Sequence, residues 1–283
     1  IRLLKHIGAH SPLAGFKPSR RVPGRATSHR SAGITASRKV ERKRVKQSMA
    51  SLFFGYPTAG SKGNATVLSW CKAANLLAVA TDDGRVSIHS RDGEVVDATS
   101  IVREGKQQRV LAVALDWQPH TRTLAVGWAD GQVSVWNTDR VACVCTNSSV
   151  HRHAVTVLQW DPAGARLVTG DRGGTVCMWK VDGRGGITSA VQHRRKSAIT
   201  AAVCCGSRPP MLPPFFFGTE AGHVCFADDA GHCTEVQQLT SAVDSLVFHE
   251  RAVRLVVLTR GLLMTQLRMC EDGRIAQHMK AKL

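Results

Sequence analysis

The sequence has few acidic residues, few aromatic residues and no long apolar run. Its 283 residues include 21 Asp and Glu against 38 Lys and Arg, and only one tyrosine. No apolar stretch approaches the roughly 18 residues that a membrane-spanning helix needs, and the first residues do not form a clean secretory signal. Because aromatic residues are few, an interleaved aromatic and basic surface for single-stranded nucleic acid is not expected.

Motifs of the common active sites are also missing. The chain has no GxSxG elbow, no P-loop and no HExxH pattern, and no helix signal follows the GRGG segment at 183–186. The densest polar cluster, at 151–153, lies between two repeats. Nine cysteines without a spaced CxxC pair indicate small apolar strand residues in a reducing compartment. We therefore expect no enzyme, no cofactor, no metal and no small-molecule substrate.

The excess of positive charge lies at one end of the chain. Residues 1–48 hold thirteen Lys or Arg and one acid, Glu41, so they supply +12 of the formal net charge of +17. This segment lacks apolar periodicity, which predicts a disordered basic tail. Three interpretations stay open. The tail is an electrostatic arm for nucleic acid or membrane, an organelle presequence, or sequence outside the native protein, because the first methionine is Met49.

A pattern of tryptophans and turn glycines recurs along the rest of the chain. Each copy has a leading tryptophan, a turn glycine fourteen residues later, and an aromatic residue or histidine five residues after that glycine. The three sets are Trp70, Gly84 and His89, then Trp117, Gly131 and Trp136, then Trp160, Gly174 and Trp179. The leading tryptophans are 47 and 43 residues apart, which is the span of one four-stranded WD40 propeller blade.

Two fainter copies follow the first three. They begin with ITAAVCC at 199–205 and VDSLVFH at 243–249, and they place Gly222 and Gly261 at the turn position. The sequence thus predicts an all-β fold, a WD40-type β-propeller of about five four-stranded blades. We expect residues 49–283 to form this domain. Since such a propeller usually has seven blades, we expect it to be incomplete, as in a truncated fragment.

WD40 blades often contain a buried, hydrogen-bonded set of His, Ser or Thr, Asp and Trp, and the repeats supply it in part. The candidates are Thr81, Asp83 and His89 in the first copy, Asp130 and Trp136 in the second, and His151 and Trp179 in the third. We interpret them as structural, because buried polar groups of this fold satisfy one another. Trp128, just before a turn, is instead a candidate for a partner-binding surface.

The second and third copies together carry a closer resemblance. The phrases AVGWADG with Trp128, VTGDRGG with Asp171 and Arg172, and the following WKVDGRG resemble the N-terminal propeller of the intraflagellar transport protein 140 family. Members of that family are subunits of intraflagellar transport complex A. The resemblance covers about three quarters of the chain, from Val67 to the terminal HMKAKL, and residues 1–48 lie outside it.

The resemblance implies a scaffold of retrograde ciliary transport that also admits membrane proteins to the cilium. Its partners are then other complex A subunits and ciliary cargo adaptors, and it is found in the cytoplasm and cilium, at the axoneme and ciliary base. A generic WD40 adaptor of a vesicle coat, a ubiquitin ligase or a ribonucleoprotein complex is the alternative. We do not expect nucleic acid as a partner, because the basic charge lies in the tail rather than the blades.

Overall fold

The computed structural model describes residues 63–96, 100–105, 108–206, 215–228, 230–270 and 275–283. The chain divides into two units, Ile1–Pro57 and Thr58–Leu283, and every described residue belongs to the second. The predictions about the tail at 1–48 and about Met49 lie outside the described residues.

Twenty strands form five antiparallel sheets of four strands each within the described part of the chain. The first sheet consists of β1 (Ala65–Cys71), β2 (Leu76–Thr81), β3 (Arg85–His89) and β4 (Ile101–Val102). The second consists of β5 (Ala112–Trp117), β6 (Thr123–Trp128), β7 (Val133–Asn137) and β8 (Ala142–Asn147). The third consists of β9 (Val155–Trp160), β10 (Arg166–Asp171), β11 (Thr175–Val181) and β12 (Ile187–Arg194).

The last two sheets repeat the same arrangement. The fourth consists of β13 (Ile199–Cys204), β14 (Phe215–Thr219), β15 (His223–Ala227) and β16 (Cys233–Gln238). The fifth consists of β17 (Val243–His249), β18 (Arg254–Thr259), β19 (Leu263–Met269) and β20 (Ile275–Lys282), with a 3₁₀ turn at Glu250–Ala252. Within each sheet the strands follow one another in chain order. The prediction of a WD40-type β-propeller with five four-stranded blades is confirmed.

Consecutive blades pack through their first strands. β1 lies against β5, β5 against β9, β9 against β13, and β13 against β17. The buried apolar side chains form clusters that each span two neighbouring blades. Representative pairs are Val86 with Trp128, Ala125 with Val155, Val157 with Phe217, and Phe216 with Leu255. The core therefore lies between the sheets, as expected when both faces of a strand are apolar.

Glycines outside the turns permit this close packing. A Cβ atom at Gly127, Gly170 or Gly218 would lie 2.6, 2.5 or 2.3 Å from a side-chain carbon of the next blade. The residues met are the β-branched Val155, Ile199 and Val243 at the start of the following first strand. A missing side chain on one blade thus accommodates a branched side chain on the next.

The turn between the second and third strands of each blade needs one residue in the left-handed region. Gly84, Gly131, Gly174 and Gly222 occupy it with φ between 80° and 91°. In the fifth blade Leu262 takes this conformation, with φ 57°, and Gly261 precedes it. The prediction that Gly261 fills the turn position is therefore wrong by one residue. The hairpin forms here without a glycine at the left-handed position, so the strand pairing rather than the glycine defines the blade.

Candidate functional site

The third blade holds a complete buried polar set. His151 comes from the connection before β9, Thr169 and Asp171 from β10, and Trp179 from β11. The His151 Nδ1 atom lies 2.9 Å from Asp171 Oδ2, and His151 Nε2 lies 2.6 Å from Thr169 Oγ1. The indole Nε1 of Trp179 donates to the same hydroxyl at 2.8 Å. All four residues are buried. The set therefore joins two strands and a loop.

The electrostatics of this set favour an ionised Asp171. Burial alone would raise the pKa of Asp171, but hydrogen bonds from His151 and from the Thr175 backbone outweigh burial, and the pKa is lowered. The pairing stabilises the blade at pH values above the ordinary carboxyl range and is lost as the pH falls through the lowered pKa. Both ring nitrogens of His151 are occupied within the interior. The arrangement offers no polar atom to a substrate.

The repeat pattern identifies only His151 and Trp179 of this set. Thr169 carries no signal in the spacing of tryptophans and glycines, and Asp171 enters through the family resemblance rather than as a partner of His151. The usable signal is the TGD triplet at 169–171, which places a hydroxyl and a carboxylate on one strand face two residues apart. In the first two blades the predicted aspartates, Asp83 and Asp130, lie in the turn itself, two residues further along.

Trp128 lies in the interior and not at a partner-facing surface. It takes the strand position of Asp171, because it ends β6 opposite Ala112 as Asp171 ends β10 opposite Val155. Only 1% of its surface is exposed. Its indole donates to Ser134 Oγ at 2.8 Å. A side chain at the last position of the second strand points into the core. The expectation that Trp128 forms a partner-binding surface is therefore wrong.

The other predicted polar residues of the first two blades form local pairs. Trp136 donates to Ser134 Oγ at 2.9 Å, whereas Asp130 forms a two-pronged ion pair with Arg103 at 2.6 and 2.7 Å. In the first blade, Thr81 donates to Asp83 at 2.5 Å and His89 contacts Ser87 at 2.8 Å. Each predicted residue thus has a partner, but the structure brings a complete set together only in the third blade among those described.

The leading tryptophans connect one blade to the blade before it. Trp117 Nε1 donates to the Ser69 carbonyl at 3.0 Å, and Trp160 Nε1 donates to the Asp116 carbonyl at 3.2 Å. Each acceptor directly precedes the leading tryptophan of the earlier blade. Trp70, the first of the series, is half-buried. The recurring tryptophan therefore marks an interface between blades rather than a ligand site.

A basic pocket opens beside the polar set of the third blade. Its volume is about 290 Å³. The name basic pocket denotes the cavity lined by Val150, Arg152, His153, Thr175, Gln192, His193 and Arg194. The first three come from the connection before β9, and the last three from the end of β12, the outermost strand. The lining thus includes two arginines and two histidines, and Arg152, His153 and Arg194 are exposed.

A second chemically distinct group lies in the fourth blade. Arg195 Nη2 donates to the Cys233 sulfur at 3.0 Å. Hydrogen bonds from the Cys225 thiol and from Arg195 lower the pKa of Cys233 to about 6, while the Cys225 pKa is raised. Cys233 is half-buried and free of disulfides. It is the thiol best suited to ionise near neutral pH in the described part of the chain.

Membrane and metal chemistry receive no support from the described residues. Within the described ranges, no helix has the length and hydropathy to cross a membrane. Nor do these ranges hold a cluster of three or more His, Cys, Asp or Glu side chains arranged for a metal ion.

Known proteins share both the repeat and the fold of this chain. The family model for the IFT140 first beta-propeller matches residues 52–212. The chromatin assembly factor 1 subunit FAS2 homolog of Oryza sativa subsp. japonica is 34% identical over 84 residues, 27% of this chain and 16% of that protein. WD repeat and FYVE domain-containing protein 2 of Mus musculus is 30% identical over 89 residues, 31% of this chain and 22% of that protein.

The same architecture is found among solved structures. The beta-propeller domain of Cps50 (Swd1) from Myceliophteria thermophila superposes with a TM-score of 0.57 at 14% identity. The match covers 78% of this chain and 72% of that one. At this identity the likeness concerns the fold alone. The two curated relatives are matched over less than a quarter of their own length, so they too share the repeat rather than a whole protein.

Proposed function

The chain belongs to the IFT140 first beta-propeller family, and on that premise we propose that it is a protein-binding scaffold of intraflagellar transport complex A. In this role the propeller contacts other complex A subunits and ciliary cargo adaptors. It acts in retrograde transport and in admitting membrane proteins to the cilium, and it resides in the cytoplasm and cilium. The observation that carries the proposal is the family match over residues 52–212.

The geometry supports a scaffold over an enzyme. The polar set of the third blade is sealed in the interior, where its donors and acceptors satisfy one another. The leading tryptophans link successive blades. Side chains of these repeats thus stabilise a platform, and the connections between strands remain for recognition. On this proposal the basic tail at 1–48 contributes nothing to complex formation.

The test is affinity purification of the tagged full-length protein from ciliated cells. Three forms are compared: the intact protein, a form lacking residues 1–48 and a form lacking residues 58–283. We expect complex A subunits and ciliary localisation to survive removal of 1–48 and to be lost or strongly reduced without 58–283.

Several results would contradict the proposal. One is recovery of coat, ubiquitin-ligase or ribonucleoprotein subunits in place of complex A. Another is entry of the protein into mitochondria. A third is recovery of RNA that disappears when residues 1–48 are removed, which would make the basic tail the functional part.

A further inference from the structure

The basic pocket carries positive charge that no ion pair neutralises among the described residues. Four of its lining residues, Arg152, His153, His193 and Arg194, are basic, and no carboxylate lines the cavity. The ion pairs formed within the described residues involve none of these four side chains. Arginines that line a concavity and hold no ion pair there attract an anion, because the surrounding walls concentrate their field.

His193, one of the lining residues, adds little positive charge to this cavity. The Nε2 atom of His193 is inaccessible to water and makes no hydrogen bond with the described protein atoms. Burial, and next the charge of Arg195, lowers the pKa of His193, against an opposing effect of Asp228. The lowered pKa disfavours the charged form of this ring, so the two arginines supply the charge.

The turn of this blade differs from those of the first two blades in a way that shapes the pocket. Gly173 stands where the first two blades have Asp83 and Asp130. A Cβ atom at Gly173 would lie 2.3 Å from His153 Nδ1. The absence of a side chain therefore lets the His153 ring lie against the turn, and it also removes the carboxylate that the equivalent position carries in the first two blades. Both effects favour an anionic ligand.

We propose that the basic pocket binds the phosphate group of a phosphorylated serine or threonine side chain on a partner protein. Two arginines provide charge and planar donor pairs that match phosphate oxygens. The volume of about 290 Å³ is at the lower end for small-molecule sites and suits a single side chain with its phosphate. This inference rests on the proposed function only in that the propeller works by binding proteins.

Other anionic partners fit the surface less well. Single-stranded nucleic acid is bound with aromatic stacking platforms, but the large apolar side chains exposed among the described residues are all aliphatic. A membrane surface is approached by a flat or protruding basic patch, usually next to apolar anchors. The pocket is concave and has only the half-buried Val150 as an apolar lining residue.

The experiment measures fluorescence anisotropy with the full-length protein and two labelled peptide mixtures. Both have randomised flanks; one has phosphoserine at the centre and the other serine. We expect the phosphoserine mixture to bind and inorganic phosphate to compete. The double substitution Arg152→Gln and Arg194→Gln should weaken binding about 100-fold, since two charged hydrogen-bonding groups are lost. Gly173→Asp should also weaken it, by restoring a carboxylate and displacing His153.

The control is Lys180→Gln, which removes one positive charge from an exposed position on β11 of the same blade. It should leave binding within about twofold, since its charge is outside the pocket. Equal binding of the two mixtures, or undiminished binding by the double variant, would overturn the inference. The inference would also be overturned if the protein bound phosphatidylcholine vesicles that contain phosphatidylserine and did not bind the phosphoserine peptides. Because purified protein is used, these outcomes are independent of whether complex A subunits co-purify.

Discussion

Leu262 holds a backbone conformation that the four equivalent turns assign to glycine. Its φ is 57°, and 56% of its surface is exposed, so the side chain gains little from packing. A left-handed conformation costs an ordinary residue roughly 1–2 kcal/mol, which glycine avoids apart from its larger entropy in the unfolded chain. We therefore expect Leu262→Gly to raise the free energy of unfolding by about 1 kcal/mol in a urea titration.

The neighbouring glycine provides the control for Leu262. Gly261 has no positive φ, and a methyl group at this position would lie 3.4 Å from its nearest neighbours, the Cβ and Oγ atoms of Ser241. Gly261→Ala should change the free energy of unfolding by less than about 0.5 kcal/mol. If Leu262→Gly lowered stability, the exposed leucine side chain would be making a contribution that its position does not suggest.

The reactivity of a cysteine thiol also depends on individual neighbouring residues. Cys233, with its pKa lowered to about 6 by Cys225 and Arg195, should react first when the native protein is treated with iodoacetamide at pH 7. Burial, and next Cys145, raises the pKa of Cys143, which makes this more exposed thiol a comparison within the same chain. Peptide mass spectrometry over a time course measures both rates.

A substitution tests the cause of that reactivity. Arg195→Gln removes the guanidinium from the Cys233 sulfur, so labelling of Cys233 should slow while labelling of Cys143 stays the same. Faster labelling of Cys143 than of Cys233 in the unsubstituted protein would show that exposure, rather than ionisation, governs these thiols.

At the scale of one blade, Thr169 is the centre of the polar set. Its hydroxyl contacts both His151 and Trp179 in the interior. Thr169→Val keeps the shape but leaves two buried nitrogens without a partner, which should lower the free energy of unfolding by about 3 kcal/mol. Thr188→Val, on the exposed side of β12, should cost less than about 0.5 kcal/mol. Similar melting curves for the two variants would mean that water replaces the hydroxyl.

Between blades, close packing depends on the absence of a side chain at Gly170. Gly170→Ala would place a Cβ 2.5 Å from Ile199 Cγ2, so overpacking should cost about 1–3 kcal/mol. Gly183→Ala is the control, because no atom lies within 4 Å of that position and its φ is not positive. The variant Ile199→Ala should relieve the penalty of Gly170→Ala in a double-mutant cycle. Where the first and second blades meet, Ala80 takes the place of Gly170 and Ala112 takes the place of Ile199. If the two substitutions had additive effects on the free energy of unfolding, direct contact between positions 170 and 199 would be ruled out.

These elements show how far the sequence could predict the fold. The hairpin turns and leading tryptophans repeat at a fixed spacing, so the strands and the number of blades followed from local pattern. Thr169 and Gly170 matter through neighbours that are distant along the chain, and the spacing of one repeat contains no such information. Trp128 shows the same limit, because its burial depends on how the end of β6 meets the preceding blade.

At the scale of the whole molecule, the blades form a series in which each packs on the next. The polar set and the tryptophans serve this interior, whereas the basic pocket faces outward from a connection and an outer strand. The packed blades form a frame, and the surface groups are attached to that frame. This arrangement supports the proposal that the propeller serves recognition.

The central claim, that this propeller is a working scaffold of retrograde ciliary transport, is tested most directly by imaging transport in ciliated cells that lack the endogenous protein. Cells are rescued with the full-length protein or with a form lacking residues 58–283, and moving particles are counted in each direction. We predict that the form without the propeller restores few retrograde particles, while anterograde particles still enter and accumulate at the tip. Normal retrograde traffic without residues 58–283 would contradict the account.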